Sequence, residues 1–285
     1  MIQQRALQLI HLGLAVAYVV FALVGDWSKV PEGRENIHMG IFDSQGGTGF
    51  GILALIIGAI LIVLAIMRIL GRTRVLPGLG VEQLTIILGV SATLIPIAYI
   101  VGWLKLFDYG TGWAVVALYF TGSFIPQLGL LTASEKEPVI GVKPITPGPR
   151  RTLSIVTLLA AAGVALFPFL EWVSSGGISL TGYEPGGVRS AMILIFVGAP
   201  IGVGAIMRMR PQGLAEPGPN ILLPHALLAG GLLALVVPLA HVISVYQFDG
   251  PTLNVGVGVW LGLVASIVLI AAALWENHIR GAKAA

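Results

Sequence analysis

The chain has 285 residues, of which 56% are hydrophobic and only 10% are charged, and its mean hydropathy is +0.93. A soluble domain carries about 25% charged residues, so this composition excludes an ordinary water-soluble fold and predicts a membrane protein. The net charge of +3 argues against a nucleic-acid partner, and the absence of cysteine excludes disulfides, thiolate metal sites and a cysteine nucleophile.

Apolar runs long enough to span a bilayer recur along the whole chain, since a hydrocarbon core of ~30 Å needs about 20 helical residues. In chain order they cover residues 6–25, 50–70, 83–103, 112–131, 152–170, 188–208, 221–245 and 255–275. We expect these spans to contain no carboxylate, which argues against a proton-driven pump. The first run has no convincing cleavage site and is predicted to remain as a helix.

The same order of landmarks occurs twice, at an offset of about 140 residues. The stretches Gly40–Arg68 and Gly182–Arg208 both begin with a glycine, have an aromatic residue and an acid within the next three positions, and end in Ala-Ile-Met-Arg. The sequence therefore predicts an all-α polytopic membrane protein built from two tandem parallel four-helix repeats. The predicted units are residues 1–131 and 152–285, joined by a proline-rich cytoplasmic linker at residues 132–151.

Positive charge predicts the orientation of the chain. If the N-terminus is cytoplasmic, twelve of the 16 Lys and Arg residues lie inside, and the four outside are Lys29, Arg34, Lys105 and Arg189. This bias predicts a multi-pass protein of the cell membrane with both termini in the cytoplasm. The outer loop of the second repeat, WVSSGGISLTGYEPGG, is compatible with a short β-hairpin.

Two sets of candidate residues lie on the predicted outer side. Trp27 and Trp172 end the first span of each repeat, where an indole typically anchors a helix at the membrane interface. Asp43, Asp108, Glu184 and Asp249 are expected in two matched acidic clusters. Such clusters suit Ca²⁺ or a cationic group, whereas aspartate before glycine is also ordinary turn chemistry.

Histidines supply the candidate cofactor ligands. His11 and His225 lie at similar depths in the first and seventh spans, as axial imidazoles of a membrane haem or chlorin would. The repeat argues against this interpretation, because the counterpart of His225 is Gln83, which is a poor haem ligand. We therefore expect no cofactor, with haem as the lower alternative.

Prolines at matched positions mark the third and seventh spans. Pro96 and Pro238 each free a backbone carbonyl and are predicted to face the bundle rather than lipid. With Tyr99 and His241 they form a candidate cavity between the repeats.

No catalytic motif is present, so an enzyme is not predicted. The leading hypothesis is a structural or accessory subunit of a membrane complex, which packs its glycine faces against other subunits or a second copy in the bilayer. The alternative is a small transporter, channel or lipid-handling protein with a polar cavity between the repeats. An electron-transfer subunit with haem is the lower alternative.

Overall fold

The computed structural model describes residues 2–32, 35–42, 48–76, 79–104, 110–134, 147–183, 189–209, 223–246 and 253–282. Its α-helices are α1 (Ile2–Val24), α2 (Thr48–Ile69), α3 (Val81–Tyr99), α4 (Trp113–Ser134), α5 (Pro147–Leu166), α6 (Met192–Met209), α7 (Leu223–Tyr246) and α8 (Val257–Ala282). Within these described ranges, all eight helices are long and apolar enough to cross a membrane. The prediction of eight spans is confirmed at this level.

The helix ends differ from the predicted spans, and two of the differences matter. Helix α3 begins at Val81 and α8 continues to Ala282, so the membrane-spanning candidates include Glu82 and Glu276. Both carboxylates are buried. The expectation that the spans contain no carboxylate is therefore wrong: both helices extend beyond the apolar runs, and in α8 the buried charge of Glu276 is paired with Arg208 and Arg280.

The predicted linker is shortened from both sides. Helix α4 extends to Ser134, and α5 begins at Pro147. Proline is well tolerated in the first turn of a helix, where its missing N–H has no intrahelical acceptor. Pro147 and Pro149 therefore start a helix instead of belonging to an extended linker, and residues 135–146 lie outside the described residues.

Helices pack mainly within two groups, α1–α4 and α5–α8, which we call the first and second halves. In each group the first helix packs on the second and fourth, and the third packs on the second and fourth. The halves meet chiefly where α2 and α3 pack against α7. A continuous apolar core runs through both halves and includes Leu61, Ile95, Leu118, Leu194 and Leu269.

Each half carries a small antiparallel sheet beside its helices. The first sheet has the order β2-β1-β5, and the second has the order β7-β6-β8. The strands are β1 (Ser28–Glu32), β2 (Glu35–Met39), β5 (Gly110–Thr111), β6 (Glu171–Ser175), β7 (Ile178–Thr181) and β8 (Asn254–Val255), and the separate hairpin between α2 and α3 consists of β3 (Arg74–Leu76) and β4 (Leu79–Gly80).

The predicted hairpin of the second half is β6–β7. Its turn residues Gly176 and Gly177 have φ angles of 57° and 88°, and positive φ at both central positions is what a two-residue type I′ turn requires. The third strand of each sheet comes from the segment before the half's last helix. That pairing was not predicted, because a two-residue strand has too little periodicity to be recognised.

Two close contacts join the halves. A Cβ on Gly49, at the start of α2, would meet the backbone oxygen of Ala240 in α7, and the Gly49 N–H donates to the hydroxyl of Ser244. Elsewhere, a Cβ on Gly102, in the π-helical turn that follows α3, would lie 2.5 Å from Cβ of Ser190, just before α6. Each contact places a glycine of the first half against a serine of the second.

Candidate functional site

Trp172 joins the second sheet to the helices of its half. Its side chain is fully buried, and its indole N–H donates a 3.0 Å hydrogen bond to the carbonyl of Phe167, in the 3₁₀ turn that directly follows α5. Its own carbonyl accepts a 2.8 Å bond from the N–H of Gly256, just before α8. His241 of α7 completes the joint, since its Nε2 lies 3.2 Å from the same carbonyl oxygen and its ring packs on the indole.

Trp27 holds the equivalent place in the first half. Its indole N–H donates a 3.1 Å bond to the carbonyl of Ala22, and its carbonyl accepts a 3.1 Å bond from Gly112. Tyr99 packs edge-on against the indole, with ring centroids 5.2 Å apart, and also contacts Phe50 of α2. We call these two clusters the tryptophan joints.

Both indoles are therefore inside the protein. The sequence placed the rings of Trp27 and Trp172 among lipid headgroups, whereas each is 0% exposed and bonded to the last turn of a helix. The sequence pattern is the same whether a tryptophan at the end of a span lies among headgroups or inside the protein, because a helix carbonyl can replace water as the acceptor for the indole N–H.

Pro96 and Pro238 are both buried, so their faces point into the protein. Proline at position 96 leaves the carbonyl of Ala92 without its intrahelical donor. The Tyr18 hydroxyl of α1 supplies that donor through a 2.9 Å hydrogen bond, and Tyr18 is itself fully buried. Tyr18 was missed from the sequence, although a tyrosine in the middle of an apolar span is the kind of residue that satisfies a freed carbonyl.

In the described part of the chain, two small cavities lie between α3 and α7. One of about 70 Å³ is lined by Gln83 and His225 with aliphatic neighbours, and one of about 10 Å³ is lined mainly by aliphatic residues beside Ser91. Pockets for drug-sized ligands measure roughly 300–1,000 Å³. Pro96, Tyr99, Pro238 and His241 line neither cavity; Tyr99 and His241 belong to different tryptophan joints.

The two candidate haem ligands lie in different surroundings. His11 is fully buried in α1, which packs on α2 and α4, and neither ring nitrogen has a hydrogen-bond partner among the described residues. His225 lines the 70 Å³ cavity, where no second histidine is present. A bis-histidine haem needs both imidazoles at one cavity, so these positions add no support to a haem site.

Asp43, Asp108, Glu184 and Asp249 all lie outside the described residues. Among the residues that are described, no group of three or more His, Asp or Glu side chains is arranged to hold a metal ion.

Glycine faces that were expected to meet other subunits are used within the chain. Gly198, Gly202 and Ala205 of α6 are buried, and a Cβ on Gly198 would lie 2.6 Å from the backbone oxygen of Ala161 in α5. Small residues permit such close helix contacts. The exposed side of α6 instead carries bulky residues, of which Phe196 is 76% exposed.

A buried ionic cluster lies where α6 and α8 end. Glu276 pairs with Arg208 at 2.8 Å and with Arg280 at 2.7 Å, and the side chains of Glu276 and Arg208 are only 1% and 4% exposed. The sequence signal for it was the Glu276-to-Arg280 spacing of four residues, which places both side chains on one helix face.

No protein-family model, no curated protein and no solved structure matches this chain.

Proposed function

We propose that this integral membrane protein performs no chemistry and is a structural or accessory subunit of a complex in the cell membrane. It is built from two tandem four-helix units that share one orientation, with both termini in the cytoplasm. The observation that carries the proposal is what the candidate polar residues contact. Trp27 with Tyr99, and Trp172 with His241, fix sheets to helices, and none of these four residues lines either of the two cavities described between α3 and α7.

The tandem arrangement is supported by matched contacts. Both tryptophans donate to the carbonyl five residues earlier, and both accept from a glycine that precedes the last helix of the half. The contacts between the halves are also reciprocal: Gly49 meets Ser244, whereas Gly102 meets Ser190. Position 49 corresponds to 190, and 102 to 244, at the offset seen in the sequence. A two-fold relation requires this reciprocity.

A transport site at Pro96, Tyr99, Pro238 and His241 is the weaker proposal. It needs a polar cavity between the halves, and the two cavities described there have volumes of about 70 and 10 Å³. A substrate larger than a few waters would require the halves to separate.

A partner subunit would dock on an exposed helix face, because the glycine face of α6 is already filled. Helices α1 and α6 are the least buried of the eight described helices. Phe196 of α6 is more exposed than any other large apolar side chain described. We therefore place the partner contact on the Phe196 face of α6.

Photo-crosslinking in intact membranes tests the partner contact. A photoreactive phenylalanine at position 196 should give a discrete protein adduct that survives mild detergent extraction. Val264 of α8, which is 58% exposed, is the matched control and should give lipid adducts only. Lipid adducts alone at both positions, with a protein that purifies without companions, would contradict the accessory role.

Labelling with a membrane-impermeant thiol reagent tests the orientation. Cysteine at Ser179, an exposed residue of β7, should react from outside intact cells. Cysteine at Thr73, exposed after α2, should react only after permeabilisation. The reverse pattern would overturn the proposed topology.

A further inference from the structure

Helix α4 exposes a polar side chain within its membrane-spanning stretch. That stretch is Trp113–Thr132, and Gln127 is an exposed residue five positions before its end. Its Cα therefore lies roughly 7–8 Å inside that end, at a rise of about 1.5 Å per residue. A helical Cα–Cβ bond tilts toward the N-terminus of its helix, so the amide of Gln127 leans toward the middle of the membrane and away from the nearer surface.

The amide of Gln127 has no hydrogen-bond partner among the residues that the structure describes. A polar group left unsatisfied in hydrocarbon is strongly unfavourable, because no water is present to replace the missing partner. Polar side chains of membrane helices accordingly form hydrogen bonds across helix interfaces. The exposed amide therefore indicates that another helix covers this face of α4.

The face around Gln127 has the spacing of a helix-pairing seam. Alternating steps of three and four residues separate its members, which are exposed except for half-buried Ser123: Trp113, Val116, Phe120, Ser123, Gln127 and Leu130. Residues at these steps stay on one side of a helix and face the partner in a left-handed helix pair, the arrangement that most membrane helix bundles use. We call these six residues the α4 seam.

Helix α8 presents the equivalent face without a polar residue. Gly112 before α4 and Gly256 before α8 make matching bonds to the two tryptophan carbonyls, so α4 and α8 align at an offset of 144 residues. Gln127 then corresponds to Ala271. The α8 residues that correspond to the seam are all exposed and apolar, namely Val257, Trp260, Val264, Ile267, Ala271 and Leu274. Lipid suits this face of α8, whereas it cannot satisfy the amide on α4.

A second copy of this chain supplies the partner that the α4 seam requires. All copies insert into the membrane with the same orientation, so two copies pair their α4 helices in parallel about a two-fold axis along the membrane normal. The two Gln127 amides then meet at the same depth. Each amide has N–H donors and a carbonyl acceptor, so the two can satisfy each other, whereas a different protein would need its own polar group at that depth.

We propose that two copies of this protein associate through the α4 seam, with the Gln127 amides hydrogen-bonded across the interface. One amide at a seam position fixes the register of the helix pair, as a single asparagine does in coiled coils. This contact is separate from the accessory-subunit contact that we place on α6, so either contact stands if the other fails.

Disulfide crosslinking of the full chain in native membranes tests the contact, because the chain has no cysteine of its own. Phe120→Cys and Leu130→Cys lie on the seam, and Val264→Cys and Leu274→Cys are the matched controls on α8, where the native residues are also exposed. Two co-expressed copies with different tags should form a disulfide-linked dimer that carries both tags at the seam positions only. No dimer at the seam, equal crosslinking at the controls, or a band that joins this chain to another protein would overturn the proposal.

The role of the amide is tested by the dissociation constant of the dimer, measured in lipid bilayers by energy transfer between labelled copies of the purified chain. Gln127→Leu should weaken dimerisation about three- to twentyfold, as expected for hydrogen bonds between membrane helices. Gln127→Asn keeps the amide and should recover part of this loss. Ala271→Leu on α8 is the matched control and should leave the constant unchanged. A dissociation constant that Gln127→Leu does not alter, or a parent chain that stays monomeric in the bilayer, would contradict the proposal.

Discussion

The first half closes its tryptophan joint with the ring of Tyr99 set edge-on against Trp27, whereas the second half uses His241, whose Nε2 lies 3.2 Å from the carbonyl oxygen of Trp172. Both rings pack on the indole, and His241 adds a polar contact to the tryptophan carbonyl. Both joints nevertheless keep the same two backbone-linked bonds, from the indole to the preceding helix and from a glycine N–H to the tryptophan carbonyl.

This difference shows which part of the joint the architecture requires. The hydrogen bonds that involve the main chain are common to both halves, so they fix the path from helix to sheet. The residue contributed by the third helix of each half packs beside the indole, and its chemistry differs between the halves. A shared catalytic or transport role would require the same functional group in both joints.

Removing the indoles should have the largest effect. Trp27→Ala and Trp172→Ala each delete a fully buried side chain and its hydrogen bond, and should lower the free energy of unfolding by roughly 3–5 kcal/mol. The measurement is thermal or denaturant unfolding in detergent. Trp260→Ala, at a 46% exposed position of α8, is the control and should change it little. A large loss of unfolding free energy from only one of the two variants would show that the two joints are not equivalent.

The second largest effect is expected from adding a methyl group at the contacts between the halves. Gly49→Ala should destabilise by roughly 1–3 kcal/mol, because its Cβ meets the backbone of α7. Gly102→Ala should cost less, because its nearest neighbour is the side chain of Ser190. Gly13→Ala, with open space around its Cβ, should be neutral or stabilising in the same unfolding assay. If Gly49→Ala were as mild as that control, the close contact would be refuted.

Tyr18, whose hydroxyl donates to the carbonyl freed by Pro96 of α3, should contribute a similar or smaller amount to the free energy of unfolding. Tyr18→Phe leaves the carbonyl of Ala92 unsatisfied and should cost roughly 1–3 kcal/mol of unfolding free energy. In a Pro96→Ala background that carbonyl regains its intrahelical donor, so the cost of Tyr18→Phe should fall. The double-mutant cycle measures this coupling, and Tyr119→Phe at an exposed position is the control. Additive effects would show that Tyr18 does not act on the freed carbonyl.

The polar contact of His241 should have the smallest effect. His241→Phe removes one hydrogen bond to Trp172 but leaves the bond from Gly256 in place, so the acceptor remains satisfied. The expected loss is about 1 kcal/mol of unfolding free energy. His278→Phe, at an exposed position of α8, is the control. A loss as large as that of Trp172→Ala would mean that the imidazole itself carries the joint.

Several features could be predicted from the residues alone. The eight apolar helices follow from run length, and the burial of Pro96 and Pro238 follows from the need to satisfy a freed carbonyl away from lipid. The β6–β7 hairpin follows from its glycine pair. The two-residue strands β5 and β8 could not be predicted, because they exist only by pairing with distant residues.

The candidate site, too, was predicted only in part from the sequence. The sequence identified Trp27, Tyr99, Trp172 and His241 as matched polar residues, but it grouped the prolines, Tyr99 and His241 around one cavity and assigned the tryptophans to the membrane interface. Depth along a helix can be read from residue spacing, whereas the neighbour at that depth depends on how the helix is rotated. The structure pairs each tryptophan with the residue of its own half.

The sequence by itself determined the class of the protein. So much apolar surface is unfavourable in water and is accommodated by a bilayer, and each apolar run has the length of a membrane span. The tertiary structure alone decided what the polar residues do. Helix rotation places Tyr18 on the Ala92 carbonyl, Glu276 between two arginines and His241 against Trp172. Apart from the Glu276–Arg280 pair within α8, these pairings join residues from different elements. The physical reason that they form is local: in a low-dielectric interior each polar group must find a partner, and packing decides which one is within reach.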